Sequence, residues 1–260
     1  MHAPAPPPII EPELLMLAYR SGIFPMADTR EDPEVFWVEP RHRAILPLDG
    51  LIVSRSLART LRRDRFRVTC NAAFAAVMEQ CAAPRRKSGD DEDAGESWIS
   101  RRIAASYQNL HRLGHAHSIE CWRGEELVGG LYGVGFDRVF CGESMFSRVP
   151  DASKVALSWL VAAMRKGGFE LLDCQFITSH LASLGAVEMP QRRYVSLLRR
   201  AQRAYSGAAD AAGAGLGAAE ATGAGAAVAL PDAFAALVAE AGGASSSPGN
   251  FIAQSLTQTS

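Results

Sequence analysis

Leu127-Val128-Gly129-Gly130-Leu131-Tyr132-Gly133-Val134 and, shortly after, Phe140-Cys141-Gly142-Glu143-Ser144-Met145-Phe146-Ser147-Arg148 open the stretch from Glu126 to Gly185 on which the fold turns. Apolar runs of strand length lie on either side of a helical pattern at Ser153 to Gly167, and Leu171-Leu172-Asp173-Cys174-Gln175 follows. The order reads strand, strand, helix, strand, helix. A crossover of that length favours parallel pairing of the strands it joins. Glu143, Asp173 and Gln175 fall inside or at the ends of these apolar runs, where an unpartnered carboxylate is costly. Side chains alternate across a strand, so Asp173 and Gln175 share one face and Cys174 takes the other. On the residues alone, the Asp173–Gln175 pair is either a structural hydrogen-bonded pair or a site. Cys174 reads as a core thiol, since no histidine is evidently paired with it.

Upstream, Arg101 to Gly114 reads as a helix closed by glycine, His115 to Trp122 as a strand, and Arg123-Gly124-Glu125-Glu126 as the turn into the glycine-rich strand. Glu11 to Arg20 fits a short amphipathic helix stopped at Gly22. Phe36-Trp37 and Arg43 to Pro47 read as short strands. Together these define a small N-terminal α/β lobe, residues 1–50. Ser54 is a good N-cap for a helix from Arg55 to about Arg63. Between Arg55 and Arg67 stand six arginines against one acid, Asp64, and Arg55, Arg59, Arg62 and Arg63 share one helical face. Such a face is either merely solvated or made for a polyanion. Asn71 to Cys81 reads as a helix, and Pro84 to Glu96 as a polar, mobile loop. Residues 204–260 are dominated by Ala, Gly and Ser and hold no lysine or arginine after Arg203. They are expected to be disordered, apart from a possible short helix at Pro231 to Glu240.

Blocks spread over residues 9 to 200 resemble the leucyl/phenylalanyl-tRNA–protein transferases, which move an amino acid from aminoacyl-tRNA onto a protein N-terminus. The strongest are L-V-G-G-L-Y-G-V, F-C-G-E-S-M-F-S-R and L-D-C-Q. Y-R-S-G-I-F-P at Tyr19, S-R-S-L at Ser54 and H-A-H-S-I-E at His115 support them. Many blocks in order are far more specific than one motif. The resemblance implies an α/β (α+β) protein with a GNAT-like (acyl-CoA N-acyltransferase-like) catalytic domain over residues 51–203. It implies transfer of Leu, Phe or Met to proteins beginning with Arg or Lys, in the N-end-rule pathway, with aminoacyl-tRNA and the acceptor protein as partners and no cofactor.

It further implies that Asp173 orients Gln175, whose amide oxygen accepts a hydrogen bond from the attacking amine. Glu143 would be the anion for a cationic acceptor, or else the partner of Lys154 or Arg148 in an internal salt bridge. Leu131, Phe140, Leu160, Met164 and Leu172 map onto the aminoacyl pocket, though by sequence alone they are ordinary core residues. Trp37 and Trp98 correspond to tryptophans that stack on the terminal adenosine, and Arg55, Arg59, Arg62 and Arg63 to a tRNA-binding face.

Composition sets outer limits. Two hundred and sixty residues make one large domain or two small ones. The net charge of -1 hides a strong segregation of charge. No apolar run approaches a membrane span, and the start lacks a basic and apolar leader pattern. Five cysteines with no C-x-x-C pair read as buried thiols, and the cytoplasm is the expected compartment. The six histidines lack metal-ligand spacing, and the glycines at 129, 130, 133 and 135 make no phosphate-binding signature, reading instead as places where backbone approaches a ligand. Two other functions fit parts of the sequence. A CoA-dependent N-acyltransferase shares the fold, but its Q/R-x-x-G-x-G/A loop is not evident in Ser147 to Ser153. A non-enzymatic tRNA-binding module needs only the basic helix.

Overall fold

A computed structural model describes residues 9–84, 97–213, 228–244 and 246–257, with side chains of 204–213 excepted. The proline-rich start and the loop at 85–96 lie outside the described residues. The main sheet has seven strands in the order β4 (Arg67–Cys70), β5 (Ala116–Arg123), β6 (Glu126–Phe136), β7 (Val139–Ser147), β8 (Leu171–Gln175), β3 (His42–Leu46), β9 (Val187–Pro190). All neighbours are antiparallel except β7 and β8, which pair in parallel because α5 (Ala152–Lys166) crosses between them. A separate two-stranded ribbon joins β1 (Phe24–Met26) to β2 (Phe36–Val38).

Helices cover both faces. On one side lie α5, α2 (Arg55–Arg62), α8 (Leu230–Gly243) and α9 (Pro248–Thr257), around a core that includes Leu57, Leu61, Leu131, Phe140, Leu160 and Met164. On the other lie α1 (Pro12–Ser21), α3 (Phe74–Ala82), α4 (Arg101–Arg112) and α7 (Gln191–Gly213), around Tyr19, Val77, Tyr107, Tyr132 and Tyr194. Helix α5 is buried almost all round, as expected of an apolar helix roofed by other helices. Ser54 caps α2 by accepting from the Leu57 amide at 3.2 Å, and Gly22 closes α1 in the left-handed conformation at φ 84. Among the described residues no helix is long and apolar enough to cross a membrane.

Two expectations need correction. Residues 1–50 do not form a lobe apart from the rest, because β3 sits inside the main sheet between β8 and β9. Its run Ala44-Ile45-Leu46 is buried on both faces, which is the environment of an interior strand. Nor are the described residues of the 204–260 tail disordered: α8 lies where the short helix at Pro231 to Glu240 is expected, α9 is an additional helix, and both pack on α5, with α9 also on α2. Leu230, Phe234 and Leu237 recur at helical spacing and bury there, with Ile252 and Leu256 doing the same from α9. Alanine-rich composition hid this, because alanine itself is a strong helix former that allows close packing. Replacing Leu237 by alanine is expected to cost about 2 kcal/mol, since the site lies at the edge and collapses partly. A chemical-denaturation midpoint unchanged by that substitution would remove α8 from the folded core.

Candidate active site

The β7–β8 pairing runs from Val139↔Leu171 to Cys141↔Asp173 and stops there, although β7 continues to Ser147. Glu143 and Gln175 each stand two residues past the last pair, on the same sheet face as Cys141 and Asp173. Beyond them opens a cavity of about 670 Å³. Leu131, Leu157, Leu160, Leu172 and Leu181 contribute apolar lining, and Glu143, Gln175, Ser144, Thr178 and His180 contribute polar groups. The parting of the two parallel strands opens this space, and the segment from Phe176 to Leu181, with Met26 and Trp98, helps to wall it.

Glu143 is buried and accepts three hydrogen bonds: from Tyr19 OH at 2.8 Å, Gln175 Nε2 at 2.9 Å and Tyr107 OH at 3.2 Å. The Tyr19 and Tyr107 hydroxyls also contact one another. Burial raises the Glu143 carboxyl to about 7, and the nearby Asp173 charge adds to this while the donated hydrogen bonds oppose it. Neither Lys154 nor Arg148 is its partner. Lys154 faces Asp151 at 3.6 Å, and Arg148 Nε donates to Gln80 at 2.8 Å.

Asp173 has no exposed surface, and both of its oxygens are fully engaged. Arg43 donates from Nε to Oδ1 at 2.9 Å and from Nη2 to Oδ2 at 2.5 Å. Tyr194 OH donates to Oδ2 at 2.8 Å, and the Gln175 backbone N–H donates to Oδ1 at 2.9 Å. Gln175 itself sits at φ 61, a left-handed conformation uncommon for a residue with a side chain and concentrated at functional sites.

The tryptophans and the pocket residues divide. Trp98 lines the cavity, together with Met26. Trp37 does not line it; it lies half-exposed on β2, opposite Pro25 in the ribbon that carries Met26. Leu131, Leu160 and Leu172 line the cavity, whereas Phe140 and Met164 are wholly buried in the core and do not reach it. Phe140 instead packs under Gly133, and the cavity's leucine lining is Leu131, Leu160 and Leu172 together with Leu157 and Leu181. Arg55, Arg59, Arg62 and Arg63 are all exposed along and just after α2, and none lines the cavity.

Cys174 packs on the α5 side, opposite Asp173, and burial with the Asp173 charge pushes its thiol up, away from nucleophilic use. Among the described residues no group of His, Cys, Asp and Glu could hold a metal ion. The H-A-H-S-I-E block serves the fold: Glu120 accepts from Thr69, Ser118 and the Ala72 and Ala73 amides, fixing the approach to α3. Sequence reasoning missed Arg43, Tyr19, Tyr107, Tyr194 and His180. A charged residue ahead of Ala44-Ile45-Leu46 was the available signal for Arg43.

Comparison with known proteins agrees with the motif blocks. Residues 45–199 match the leucyl/phenylalanyl-tRNA protein transferase family, and residues 9–41 match the N-terminal domain of the same family. The chain belongs to that family. A leucyl/phenylalanyl-tRNA–protein transferase of Novosphingobium aromaticivorans is 66% identical over 265 aligned positions, covering 98% of each chain. Those of Rhizorhabdus wittichii and Zymomonas mobilis are 56% and 55% identical, covering 78% and 76% of this chain and 80% and 71% of their own lengths. Membership of the leucyl/phenylalanyl-tRNA protein transferase family therefore rests on residues 9–41 and 45–199, and the similarity to the Novosphingobium aromaticivorans transferase extends over 98% of the chain.

Proposed function

We propose that the protein transfers Leu, Phe or Met from aminoacyl-tRNA to the α-amine of proteins with N-terminal Arg or Lys, in the cytoplasm, as a step of N-end-rule degradation. The carrying observation is the junction, at the parting of β7 and β8, of an apolar cavity with the Glu143–Gln175 pair. The order α4–β5–β6–β7–α5–β8, with its single parallel pair, supports the finer reading of residues 51–203 as a GNAT-like transfer domain. Strand β3 from the N-terminal segment completes its sheet.

The chemistry asks little of the protein. The amine nitrogen attacks the ester carbonyl carbon of the aminoacyl group, the tetrahedral centre expels the terminal ribose oxygen, and the amine proton leaves to solvent or to a carboxylate. Ester-to-amide exchange is downhill and consumes no cofactor. An N-terminal amine has a pKa of about 7.7 to 8, so a useful fraction is already neutral near pH 7. Orientation and exclusion of water supply the acceleration. The leucines of the cavity floor hold an unbranched apolar side chain. Gln175 donates from Nε2 to Glu143, which assigns its amide oxygen to the incoming amine. Glu143 is the one carboxylate in the lining among the described residues and supplies negative charge for a cationic acceptor.

Transfer of radiolabelled leucine from Leu-tRNA to a peptide beginning with Arg, beside one beginning with Ala, tests the reading. Transfer to the Arg peptide alone supports it, and transfer to neither by folded protein refutes it. The exposed α2 arginines make a separate prediction. Alanine at Arg59 and Arg62 should weaken Leu-tRNA binding and flatten log K against log salt by about 0.9 for each phosphate that is no longer neutralised. Transfer from a short 3′-terminal aminoacyl fragment should be unchanged, because that fragment does not extend to α2.

A further inference from the structure

Arg43 is the largest side chain with no solvent exposure among the described residues, and nothing in the transfer chemistry above uses it. Its guanidinium lies between the rings of Phe24 and Tyr194, at 4.6 and 4.7 Å from their centroids. One edge forks onto Asp173 and Nη1 donates to the Gly22 carbonyl at 3.2 Å. A buried ion pair is a weak source of stability, because an apolar pair of similar volume often serves as well. The pair must therefore be explained by what else the carboxylate holds. That is the Gln175 N–H, which donates back to a side chain two residues earlier at the point where the β7 ladder has ended. Such an Asx-type turn gives a left-handed residue its hydrogen bond.

Resting on the transfer reaction proposed above, we propose that Arg43, seconded by Tyr194, is a positioning residue: it clamps Asp173 so that the carboxylate fixes the backbone turn at Gln175 and aims the Gln175 amide at Glu143 and the cavity. Asp173 is then an anchor, not a proton carrier. Each of its oxygens already accepts two hydrogen bonds, leaving no lone pair for a proton in transit. The role extends the site to β3, the sheet neighbour of β8 supplied by the N-terminal segment.

Two charge-free double variants separate the possibilities. Arg43→Met with Asp173→Leu removes both charges and the acceptor for Gln175 N–H. Arg43→Met with Asp173→Asn removes the charges and keeps an amide oxygen as acceptor. The leucine pair is expected to fold with a lowered melting temperature, since Tyr194 OH, the Gly22 carbonyl and the Gln175 N–H lose partners, and to lose about 100-fold in kcat with KM for Leu-tRNA unchanged. The asparagine pair should recover about tenfold of that loss, because the turn at Gln175 is restored. Equal, wild-type kcat in both would make the ion pair merely structural, and equal, complete loss in both would make Asp173 a proton carrier. Should a double variant fail to fold, Arg43→Lys and Tyr194→Phe, which each remove one donor from Asp173, must both lower kcat, and unchanged kcat in both overturns the proposal. Wild-type protein assayed alongside shows whether the reaction itself is the one named. The backbone amide resonance of Gln175, assigned sequentially through its Cys174 and Phe176 neighbours in isotope-labelled protein, reports the anchoring without any substrate. It should shift in the leucine pair and return towards its position in the asparagine pair.

Discussion

Gly133→Ala is expected to lower the stability of the protein by about 3 kcal/mol or more, the upper range for overpacking, which for a chain of this size is a fall in melting temperature of roughly 6 to 12 °C. A Cβ at position 133 would fall on the Cys141 carbonyl oxygen and within 2.5 and 2.8 Å of Phe140 Cε1 and Cζ. The carbonyl belongs to a strand paired on both sides, so neither partner can retreat. Gly133 also sits at the register shift between β6 and β7, opposite Gly142 and one step from the Tyr132↔Ser144 pair. A bulge at such a point turns the strand and re-aims its side chains. The pairs Tyr132↔Ser144 and Gly133↔Gly142 leave Glu143 as the extra residue of that bulge, so forcing the strands apart there should disturb the carboxylate as well as the core. A melting temperature within about 2 °C of wild type would show that the sheet adapts more easily than this packing allows.

The same strand shows where sequence is legible. The period and length of its apolar runs identified β5, β6, β7, α5 and β8, because local pattern decides those elements. Alternation alone placed Asp173 and Gln175 together and Cys174 opposite. The glycines were harder. They were expected to let backbone approach a ligand, but Gly129 makes room for Ala152, Gly130 for the Ile119 carbonyl and Gly133 for Cys141, and none of these three lines the cavity. A glycine's sequence context does not say what comes close to it. Pairings between distant segments were likewise hidden. Strand β3 joins β8 across more than a hundred residues, so Arg43 beside Asp173 could be read only once the sheet was assembled. Tyr19 and Tyr107 look like ordinary amphipathic-helix residues until both hydroxyls meet at Glu143. Of the C-terminal helices, α8 was legible at Pro231 to Glu240, but α9 and the packing of both on the core were masked, since small residues around a few leucines and phenylalanines resemble a low-complexity tail.

The pH dependence of transfer is expected to reveal Glu143. Its neighbours donate to both oxygens, Tyr19 and Gln175 to Oε1 and Tyr107 to Oε2, so the ionised carboxylate is fully partnered. A proton on Oε2 leaves the Gln175 bond to Oε1 in place but removes the negative charge offered to a cationic acceptor, so the active form is the one above about 7. The acceptor amine must also be neutral, with its own pKa of about 7.7 to 8. Log kcat/KM for the Arg peptide should rise with a slope of about 2 below pH 7 and about 1 between 7 and 8. Glu143→Gln should reduce the rate and leave a single slope of about 1, that of the amine. Stability gives an independent sign. A carboxyl raised on folding keeps its proton while the unfolded chain loses it, so the folded state binds more protons between the unfolded value of about 4.3 and the folded value. Stability from this group is greatest below that window and declines as pH rises through it to about 7. In Glu143→Gln that decline should vanish. Identical limbs in wild type and Glu143→Gln, with identical stability slopes between about pH 5 and 7, would mean that Glu143 does not titrate in this range and does not set the rate.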